Sequence, residues 1–180
     1  MFRRKTEIEK IYDAYSRPLF FSAMRILNNS AEAEDAMQES IISWYTSDKK
    51  HDIRNLESWL KSSCIRRAID IIRKREVEKS YKQVVSEESD ILQHVDNKEN
   101  SLSLEDMEES KACRIIKDAL ASLPDSYRMI VSLHLFEGYD YEEIAEITGL
   151  TESGIRSQYM RGRAKLAALS EAILKAEGLR

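Results

Sequence analysis

Glycine, proline, cysteine and histidine are all scarce in this 180-residue chain, which contains only 5 Gly, 2 Pro, 2 Cys and 3 His. Because glycine and proline are the residues that interrupt helices, and because good helix formers are abundant, the composition predicts an all-α fold. No apolar run approaches the roughly 18 residues that a membrane-spanning helix needs, and the N-terminus lacks the apolar core of a signal peptide. We therefore expect a cytoplasmic protein that does not insert into a membrane.

The few cysteines and histidines are also too widely spaced to indicate a metal site. Cys64 and Cys113 have no CxxC partner and no histidine nearby, which favours two reduced and mostly buried thiols. The sequence contains no glycine-rich phosphate loop and no Ser–His or Cys–His arrangement typical of nucleophilic catalysis. These absences predict a protein that has no catalytic residues, no metal and no cofactor, and that is not an enzyme.

Charge is distributed unevenly along the chain, although the formal net charge is only −4. Residues 59–82 carry a net charge of +5, residues 83–110 carry −8, and residues 151–170 carry +3. This asymmetry indicates two cationic surfaces joined by an anionic connector. For any single run, a solvated helix face is the alternative interpretation.

The acidic segment divides the chain into two helical units. Residues 83–109 lack a sustained apolar period, so we interpret them as a flexible linker between an N-terminal domain, 1–82, and a C-terminal domain, 110–180. Pro18 is expected to interrupt or kink the first helix, and Ser30 to cap the second. Further helices are expected over residues 58 to beyond 75, 111–121, 124–138, 141–148 and 152–174.

The segment "YEEIAEITGLTESGIRSQY" has the spacing of a helix-turn-helix. Ala145 is small where two helices nearly touch, Gly149 suits the turn, Thr151 can cap the second helix, and Ile155 can anchor it. Side chains on the opposite face of that helix would project outward, where arginine can pair with guanine in a major groove. An ordinary helical hairpin with solvated arginines is the alternative. The outward residues are Ser153, Arg156, Ser157 and Met160, with Arg163 at their edge and Arg161 farther around.

A second cationic helix is predicted over "SWLKSSCIRRAIDIIRKR". Its apolar residues cover about half of the helix circumference, and its charged residues cover the opposite arc. Asp70 is spaced to pair with Arg66 or Arg73, although a surface ion pair of this kind contributes little energy. The charged arc suits backbone-level or single-stranded nucleic-acid binding, and it contains Arg66, Arg67, Asp70, Arg73 and Lys74.

The segment "AEAEDAMQES" predicts an acidic helix face. With Met37 and Trp44 facing inward, the carboxylates fall on the opposite side, and Ile42 lies exposed among them. Such a face can dock a protein partner, but on physical grounds alone a solvated helix face is the better explanation. The carboxylate-bearing residues are Glu32, Asp35 and Glu39, with Gln38 at their border.

These three segments together resemble the extracytoplasmic-function (ECF) sigma factors of bacterial RNA polymerase, in the sigma-70 family. The matching stretches are "AEDAMQE", "WLKSSCIRRAIDIIRKR" and "LPDSYRMIVSLHLFEGYDYEEIAEITGLTESGIRSQYMRGRAKL". The resemblance implies a protein that binds core RNA polymerase and directs promoter recognition, promoter melting and transcription initiation. A stand-alone helix-turn-helix regulator is one alternative, and a helical enzyme or adaptor with incidental basic faces is another.

The resemblance also implies roles for particular residues and partners. The residues implied to bind core polymerase, at its β′ coiled coil, are Glu32, Asp35, Gln38, Glu39 and Ile42. Those implied to contact the melted minus-ten element are Asn55, Trp59, Lys61, Arg66, Arg67, Asp70, Arg73, Lys74 and Arg75. Those implied to read the duplex minus-thirty-five element are Ser153, Arg156, Ser157, Met160, Arg161, Arg163 and Lys165. An anti-sigma factor is a further implied partner.

Three residues depart from the family pattern. Arg66 stands where the family often has asparagine, which favours a phosphate contact over a base-specific one. Gly154 replaces a threonine and weakens the first turn of the recognition helix. Gly162 replaces a common alanine, and it either loosens that helix or permits closer packing.

Overall fold

The computed structural model describes residues 5–85 and 110–178, and within these ranges it contains helices and no strand. The all-α prediction is therefore confirmed. No helix in the described ranges is both long enough and apolar enough to cross a membrane. The helices are α1 (Glu7–Leu27), α2 (Ser30–Tyr45), a short 3-10 helix (Lys50–Asp52), α3 (Leu56–Val85), α4 (Lys111–Ala121), α5 (Asp125–Leu135), α6 (Tyr141–Thr148) and α7 (Glu152–Ala176).

These helices form two domains, α1–α3 and α4–α7. The predicted linker, 83–109, falls mostly outside the described residues, although α3 extends three residues into it before ending at Val85.

The first helix, α1, is continuous through Pro18. It begins with a capping box, in which Thr6 Oγ1 accepts from the Glu9 amide and Glu9 Oε2 accepts from the Thr6 amide. It ends at Asn28, which adopts the left-handed conformation with φ of 50°. Proline therefore does not interrupt this helix, because burial of the apolar side of α1 outweighs the loss of one backbone donor.

The N-cap of α2 is Asn29 and not Ser30, which corrects the sequence-based expectation. The Oδ1 atom of Asn29 accepts a hydrogen bond from the Glu32 amide at 3.1 Å. The left-handed turn at Asn28 leaves Asn29 extended, with φ of −146°, which is the backbone conformation of an N-cap. Ser30 is consequently the first residue inside the helix.

The apolar core is continuous across the two domains. Helix α1 packs against α2 and α3 on one side and against α5 on another. Ile26 of α1 and Ile130 and Leu133 of α5 are all fully buried in this one cluster. The domains therefore lie in direct contact, a relationship that the linker-based prediction did not include.

Gly162 allows α7 to approach α5 closely. A Cβ atom built at this position would lie 2.8 Å from Val131 Cγ2 and 3.3 Å from Tyr127 Cβ. Gly162 was expected either to loosen α7 or to permit closer packing, and the structure shows closer packing.

The two cysteines are unpaired, as predicted, but they differ in environment. Cys64 is buried between helices of the first domain, and burial raises the pKa of its thiol to about 11. Cys113 is exposed on α4, so the expectation that both thiols are buried is wrong for this residue. Its position at the start of α4 lies outside the apolar stripe that packs on α7.

Candidate nucleic-acid and polymerase interfaces

The helix-turn-helix predicted from the sequence is formed by α6 and α7. Helix α6 begins with a capping box between Asp140 and Glu143, and it ends at Gly149, whose φ is 68°. The Gly149 amide donates to the Ala145 carbonyl at 2.8 Å, and this left-handed turn reverses the chain. Thr151 then caps α7, since its Oγ1 accepts from the Gly154 amide at 3.2 Å.

Helix α7 separates cleanly into a packed face and an open face. Ile155, Tyr159 and Gly162 are buried against the rest of the domain. All seven residues that the resemblance assigns to the minus-thirty-five element are exposed, so the outward orientation is confirmed while their DNA contacts stay a prediction. These residues are Ser153, Arg156, Ser157, Met160, Arg161, Arg163 and Lys165.

One of the exposed arginines is held by an aromatic cluster that sequence patterns did not reveal. The Arg156 guanidinium lies over the Tyr141 ring, with its central carbon 5.4 Å from the ring centroid. Tyr141 in turn stacks on His134, at 4.7 Å between centroids, and Tyr159 meets His134 edge-on at 4.5 Å. Because this cluster joins α5, α6 and α7, periodicity within any one helix could not predict it.

The predicted minus-ten residues divide into two groups. Arg66 and Lys74 are exposed on α3 and form no ion pair within residues 5–85 and 110–178. Trp59 is half-buried at the first turn of the helix. Asn55 caps α3, since its Oδ1 accepts from the Ser58 amide at 3.0 Å.

The other cations of α3 already have partners in the protein. Arg73 donates to Asp70 at 2.9 Å, which confirms the pairing predicted from their spacing. Arg67 forms an ion pair with Glu39 of α2, and Arg75 forms one with Glu32 of α2. At about 100° per residue, Arg75 lies on the opposite side of α3 from Arg66, so these residues do not share one face.

The acidic face of α2 is exposed as predicted, with Ile42 53% accessible to solvent among the carboxylates. Asp35 forms no ion pair with any residue in the described part of the chain. Gln38 Nε2 donates to Glu34 Oε1 at 2.9 Å. Together with the arginines of α3, the carboxylates of α2 line a groove of about 420 Å³.

A buried carboxylate, Glu137, joins the two domains. It lies just after α5, and its side chain is only 2% exposed. Arg25 Nη2 donates to it at 2.5 Å, Lys61 Nζ lies 3.0 Å away, and Ser22 Oγ donates at 3.0 Å. Burial alone would raise the pKa of Glu137, but Arg25 and Lys61 lower it below the ordinary range.

A second polar connection caps the end of α1. Arg128 of α5 is 4% exposed and donates to the carbonyl oxygens of Ile26 at 3.0 Å and Leu27 at 3.3 Å. Its charge is balanced by Asp125, which accepts from Arg128 Nη2 at 2.5 Å. Burial favours a raised carboxyl pKa for Asp125, but Arg128, with Arg75 and Lys79, holds that pKa below its usual value.

Sequence reasoning missed Glu137, Asp125 and Arg128. The i, i+3 spacing of Asp125 and Arg128 is a usable sign of a local ion pair. The carbonyl groups that Arg128 contacts are about 100 residues away in the sequence, so no local pattern indicates them.

Two helical domains, a helix-turn-helix with an open cationic face and a separate cationic helix define a class of DNA-binding transcription proteins. Comparison with known proteins identifies the family. The model for sigma-70 region 2 matches residues 11–77, and the model for sigma-70 region 4 matches residues 113–166. The chain belongs to the ECF sigma factors of the sigma-70 family.

Individual relatives agree with this assignment. The ECF RNA polymerase sigma factor SigM of Bacillus subtilis is 26% identical over 167 residues, covering 90% of this chain and 94% of that protein. RNA polymerase sigma factor SigV of the same organism is 30% identical over 140 residues, covering 77% and 76%. A solved structure of the sigma factor RpoE from Bartonella quintana, in complex with the anti-sigma factor NepR, has the same fold. It is 24% identical with a TM-score of 0.54, covering 92% of this chain and 97% of that one.

The predicted function in transcription initiation is therefore confirmed at the level of the family, and a stand-alone regulator is not favoured. The family to which the chain belongs consists of sigma factors, which are not enzymes.

Proposed function

We propose that this chain binds core RNA polymerase through α2 and directs it to promoters that α7 and α3 recognise. The observation that carries the proposal is the open face of α7, on which seven polar, cationic or flexible side chains project from a capped helix-turn-helix. A helix that protrudes in this way fits a major groove.

Within α7, Arg156 is the residue that we assign to a base. It lies one turn into the helix, where recognition helices contact base edges, and a bidentate arginine–guanine pair contributes about 1–3 kcal/mol of discrimination. Arg161, Arg163 and Lys165 lie farther along the helix and are assigned to phosphates. Ser153, Ser157 and Met160 complete the contact surface around Arg156.

The cationic side of α3 is assigned to the melted minus-ten element. Arg66 and Lys74 are free to contact phosphates, and Trp59, in the first turn of the same helix, offers a partly exposed aromatic surface. We use the term minus-ten surface for the side chains of α3, and of the loop before it, that are assigned to this contact. These are Asn55, Trp59, Lys61, Arg66, Arg67, Asp70, Arg73, Lys74 and Arg75.

The exposed face of α2 is assigned to the β′ coiled coil of core polymerase. Asp35, Gln38 and Glu39 supply polar groups, and Ile42 supplies one exposed apolar contact among them. Glu32 is bound to Arg75, so we assign it to the edge of this surface.

Reconstituted transcription tests this assignment. We expect Asp35→Ala combined with Glu39→Lys to reduce co-purification with core polymerase and run-off transcription at least tenfold, because the change removes two docking carboxylates and adds a repulsive charge. Glu146→Ala combined with Glu171→Lys is the matched control, since both residues are exposed in the second domain. Equal activity of both double variants, or footprinting of duplex DNA without polymerase, would contradict the proposal.

We further propose that an anti-sigma factor regulates this protein and that it acts in the cytoplasm, where the polymerase and promoters are. The Bartonella relative was solved with such a factor, which supports the first point. Affinity purification of the tagged protein from its host before and after core polymerase is depleted tests for a regulator that binds independently of polymerase. Recovery of polymerase subunits alone would contradict this part of the proposal.

A further inference from the structure

Lys50 lies between two aromatic rings and a carboxylate, at the start of the short 3-10 helix that joins α2 to α3. We propose that Lys50 is a positioning residue, whose ammonium fixes the loop of residues 46–55 so that the exposed side chains of this loop discriminate between bases of the melted minus-ten element. The inference rests on the proposed function of α3 and the loop before it. Lys50 itself is not assigned a contact with DNA.

Three contacts converge on the Lys50 ammonium. Its Nζ atom lies 5.7 Å from the centroid of the Trp44 ring and 4.9 Å from that of the Tyr45 ring. The same atom donates to Glu7 Oε2 at 3.2 Å. A cation within about 6 Å of a ring face is attracted to the ring, and the attraction is stronger where the cation is withdrawn from water. The Lys50 side chain is only 22% exposed, so it meets both conditions.

These contacts join the loop to two helices. Glu7 is in the first turn of α1, and Trp44 and Tyr45 are the last two residues of α2. An isolated surface ion pair contributes little, but here two rings act on the same cation. Tyr45 remains 44% exposed, so burial in the core does not account for its ring, whereas the contact with Lys50 does. The ammonium therefore sets the position of the 3-10 helix relative to α1 and α2.

Few other interactions hold the loop at this point. Its sequence, "TSDKKHDIRN", contains no proline to restrict the backbone. The turn itself is formed by local bonds, from the Lys50 amide to the Ser47 carbonyl at 3.2 Å and from the Asp52 amide to the Lys49 carbonyl at 3.0 Å. Within residues 46–52, all of which the structure describes, Lys50 is the residue that forms an ion pair with a helix. Its loss would leave the turn held mainly by short-range hydrogen bonds.

The loop presents hydrogen-bonding side chains next to α3. His51 and Arg54 are exposed, and so is Asn55, which belongs to the minus-ten surface. An imidazole, a guanidinium and an amide can each donate to the edge of a base. Ile53 is partly buried against the apolar core and fixes the loop near α3, while Lys50 fixes it near α2. The exposed donors lie between or beside these two anchors.

Discrimination between bases depends on how well such donors are held in place. A phosphate contact needs only a cation within reach, but a base contact needs a donor at a defined position. A donor on a mobile loop loses part of its contact energy when the loop becomes ordered on binding. Loss of the Lys50 contacts should therefore reduce selectivity for the minus-ten sequence more than it reduces the overall attraction for DNA.

Transcription by the holoenzyme tests this role. The templates are a promoter mapped from transcript starts and the same promoter with the single minus-ten base exchange that most reduces transcription by the parent chain. We expect Lys50→Met to lower the ratio of transcription from the first template to that from the second at least about threefold, because it removes the cation from the two rings. Lys50→Arg should restore most of this ratio, since a guanidinium also binds aromatic faces and carboxylates.

Lys49→Met is the matched control, because Lys49 is the adjacent residue, is exposed and carries the same charge. Loss of a cation alone weakens binding to both templates by a similar factor and leaves their ratio unchanged. Partial unfolding would also lower transcription from both templates together. If the ratio for Lys50→Met equals that for the parent chain or for Lys49→Met, the inference is overturned.

A second measurement reports the loop directly and needs neither polymerase nor DNA. Trypsin requires an opened segment, so the initial rate of cleavage after Arg54, resolved by intact mass, follows the population in which the loop is open. We expect this rate to rise at least about fivefold in Lys50→Met and to stay at the parent value in Lys49→Met. Equal rates in the two variants would contradict a role for Lys50 in fixing the loop.

Tyr45 keeps the inference testable if Lys50→Met fails to fold. Tyr45→Leu leaves the cation in place but removes the nearer ring, so it should lower the template ratio and raise the cleavage rate in the same directions as Lys50→Met. Tyr45→Phe keeps the ring and should match the parent chain in both measurements. Parent values for Tyr45→Leu would overturn the inference.

Failure of the proposed function gives a different result. In that case the parent chain with core polymerase would transcribe both templates equally or neither of them, whatever the rate of cleavage after Arg54. If only the role of Lys50 is wrong, the parent chain prefers the intact minus-ten element and Lys50→Met keeps the same preference.

Discussion

Arg128 on α5 donates to the carbonyl oxygen of Ile26 on α1 at 3.0 Å, which places a buried guanidinium of one domain on the helix end of the other. The free carbonyl groups at a helix C-terminus attract cations, and Arg128 is neutralised there by Asp125. The contact between the domains therefore contains buried polar groups as well as the shared apolar cluster.

Removal of this guanidinium should destabilise the protein strongly. We expect Arg128→Ala to lower the free energy of unfolding by about 3 kcal/mol, because it leaves Asp125 partly buried without its main partner and the helix end without a donor. Urea unfolding followed by circular dichroism measures this loss. Arg163→Ala, at an exposed position of α7, should change stability by less than about 0.5 kcal/mol, and an equal effect of the two changes would refute a structural role for Arg128.

Gly162 should not tolerate even one methyl group. Alanine at this helical position would gain about 1 kcal/mol of helix propensity, but its Cβ would lie 2.8 Å from Val131, which is fully buried and cannot move freely. We expect Gly162→Ala to lower the melting temperature, with a net loss of about 1 kcal/mol. Ser157→Ala on the exposed side of α7 is the control, and it should leave the melting temperature unchanged or raised. A more stable Gly162→Ala variant would show that α5 and α7 can separate at no cost.

Tyr141 should strengthen DNA binding by holding Arg156. Loss of the ring in Tyr141→Leu should weaken binding to a minus-thirty-five duplex about two- to fivefold, because the cation–π contact contributes roughly 0.5–1 kcal/mol, whereas Tyr141→Phe should retain affinity. Fluorescence anisotropy on a promoter mapped from transcript starts gives these values. In the Arg156→Ala background, Tyr141→Leu should have no further effect on DNA binding. An additive loss of affinity would show that Tyr141 does not act through Arg156.

Acid should weaken the contact between the domains. Arg25 and Lys61 hold the pKa of Glu137 below its ordinary value, so their ion pairs stabilise the fold fully while pH stays above the ordinary carboxyl pKa of about 4.3. This contribution is lost as pH falls from that value through the lowered pKa, since protonation removes the ion pairs. Urea unfolding followed by circular dichroism at a series of pH values measures the loss, which should be diminished in Glu137→Gln. An identical pH dependence of stability in the two proteins would contradict the prediction.

The all-α fold and the helix-turn-helix could both be predicted, because each depends on local patterns. Gly149 and Thr151 combine turn and cap chemistry within three residues, and the buried positions Ile155 and Tyr159 follow helical periodicity. The outward direction of Arg156 follows directly from the same period. Residue roles in DNA and polymerase binding come from the family resemblance and remain to be tested.

Smaller features were decided by neighbouring structure. The cap of α2 fell on Asn29 because Asn28 takes the left-handed conformation first, and propensity does not choose between two adjacent cap-forming residues. Cys113 is exposed because α4 buries another side, toward α7. The first outcome depends on the turn that precedes the helix, and the second on which helix face is buried.

By itself, then, the sequence determined where most helices form, which of their faces are apolar, and that α7 carries an open cationic face. Only the tertiary structure decided that Arg25 and Lys61 bind Glu137, at sequence separations of 112 and 76 residues. Such contacts depend on how two folded domains meet. Helical periodicity describes one element at a time, so the contact between the two domains is absent from every local pattern.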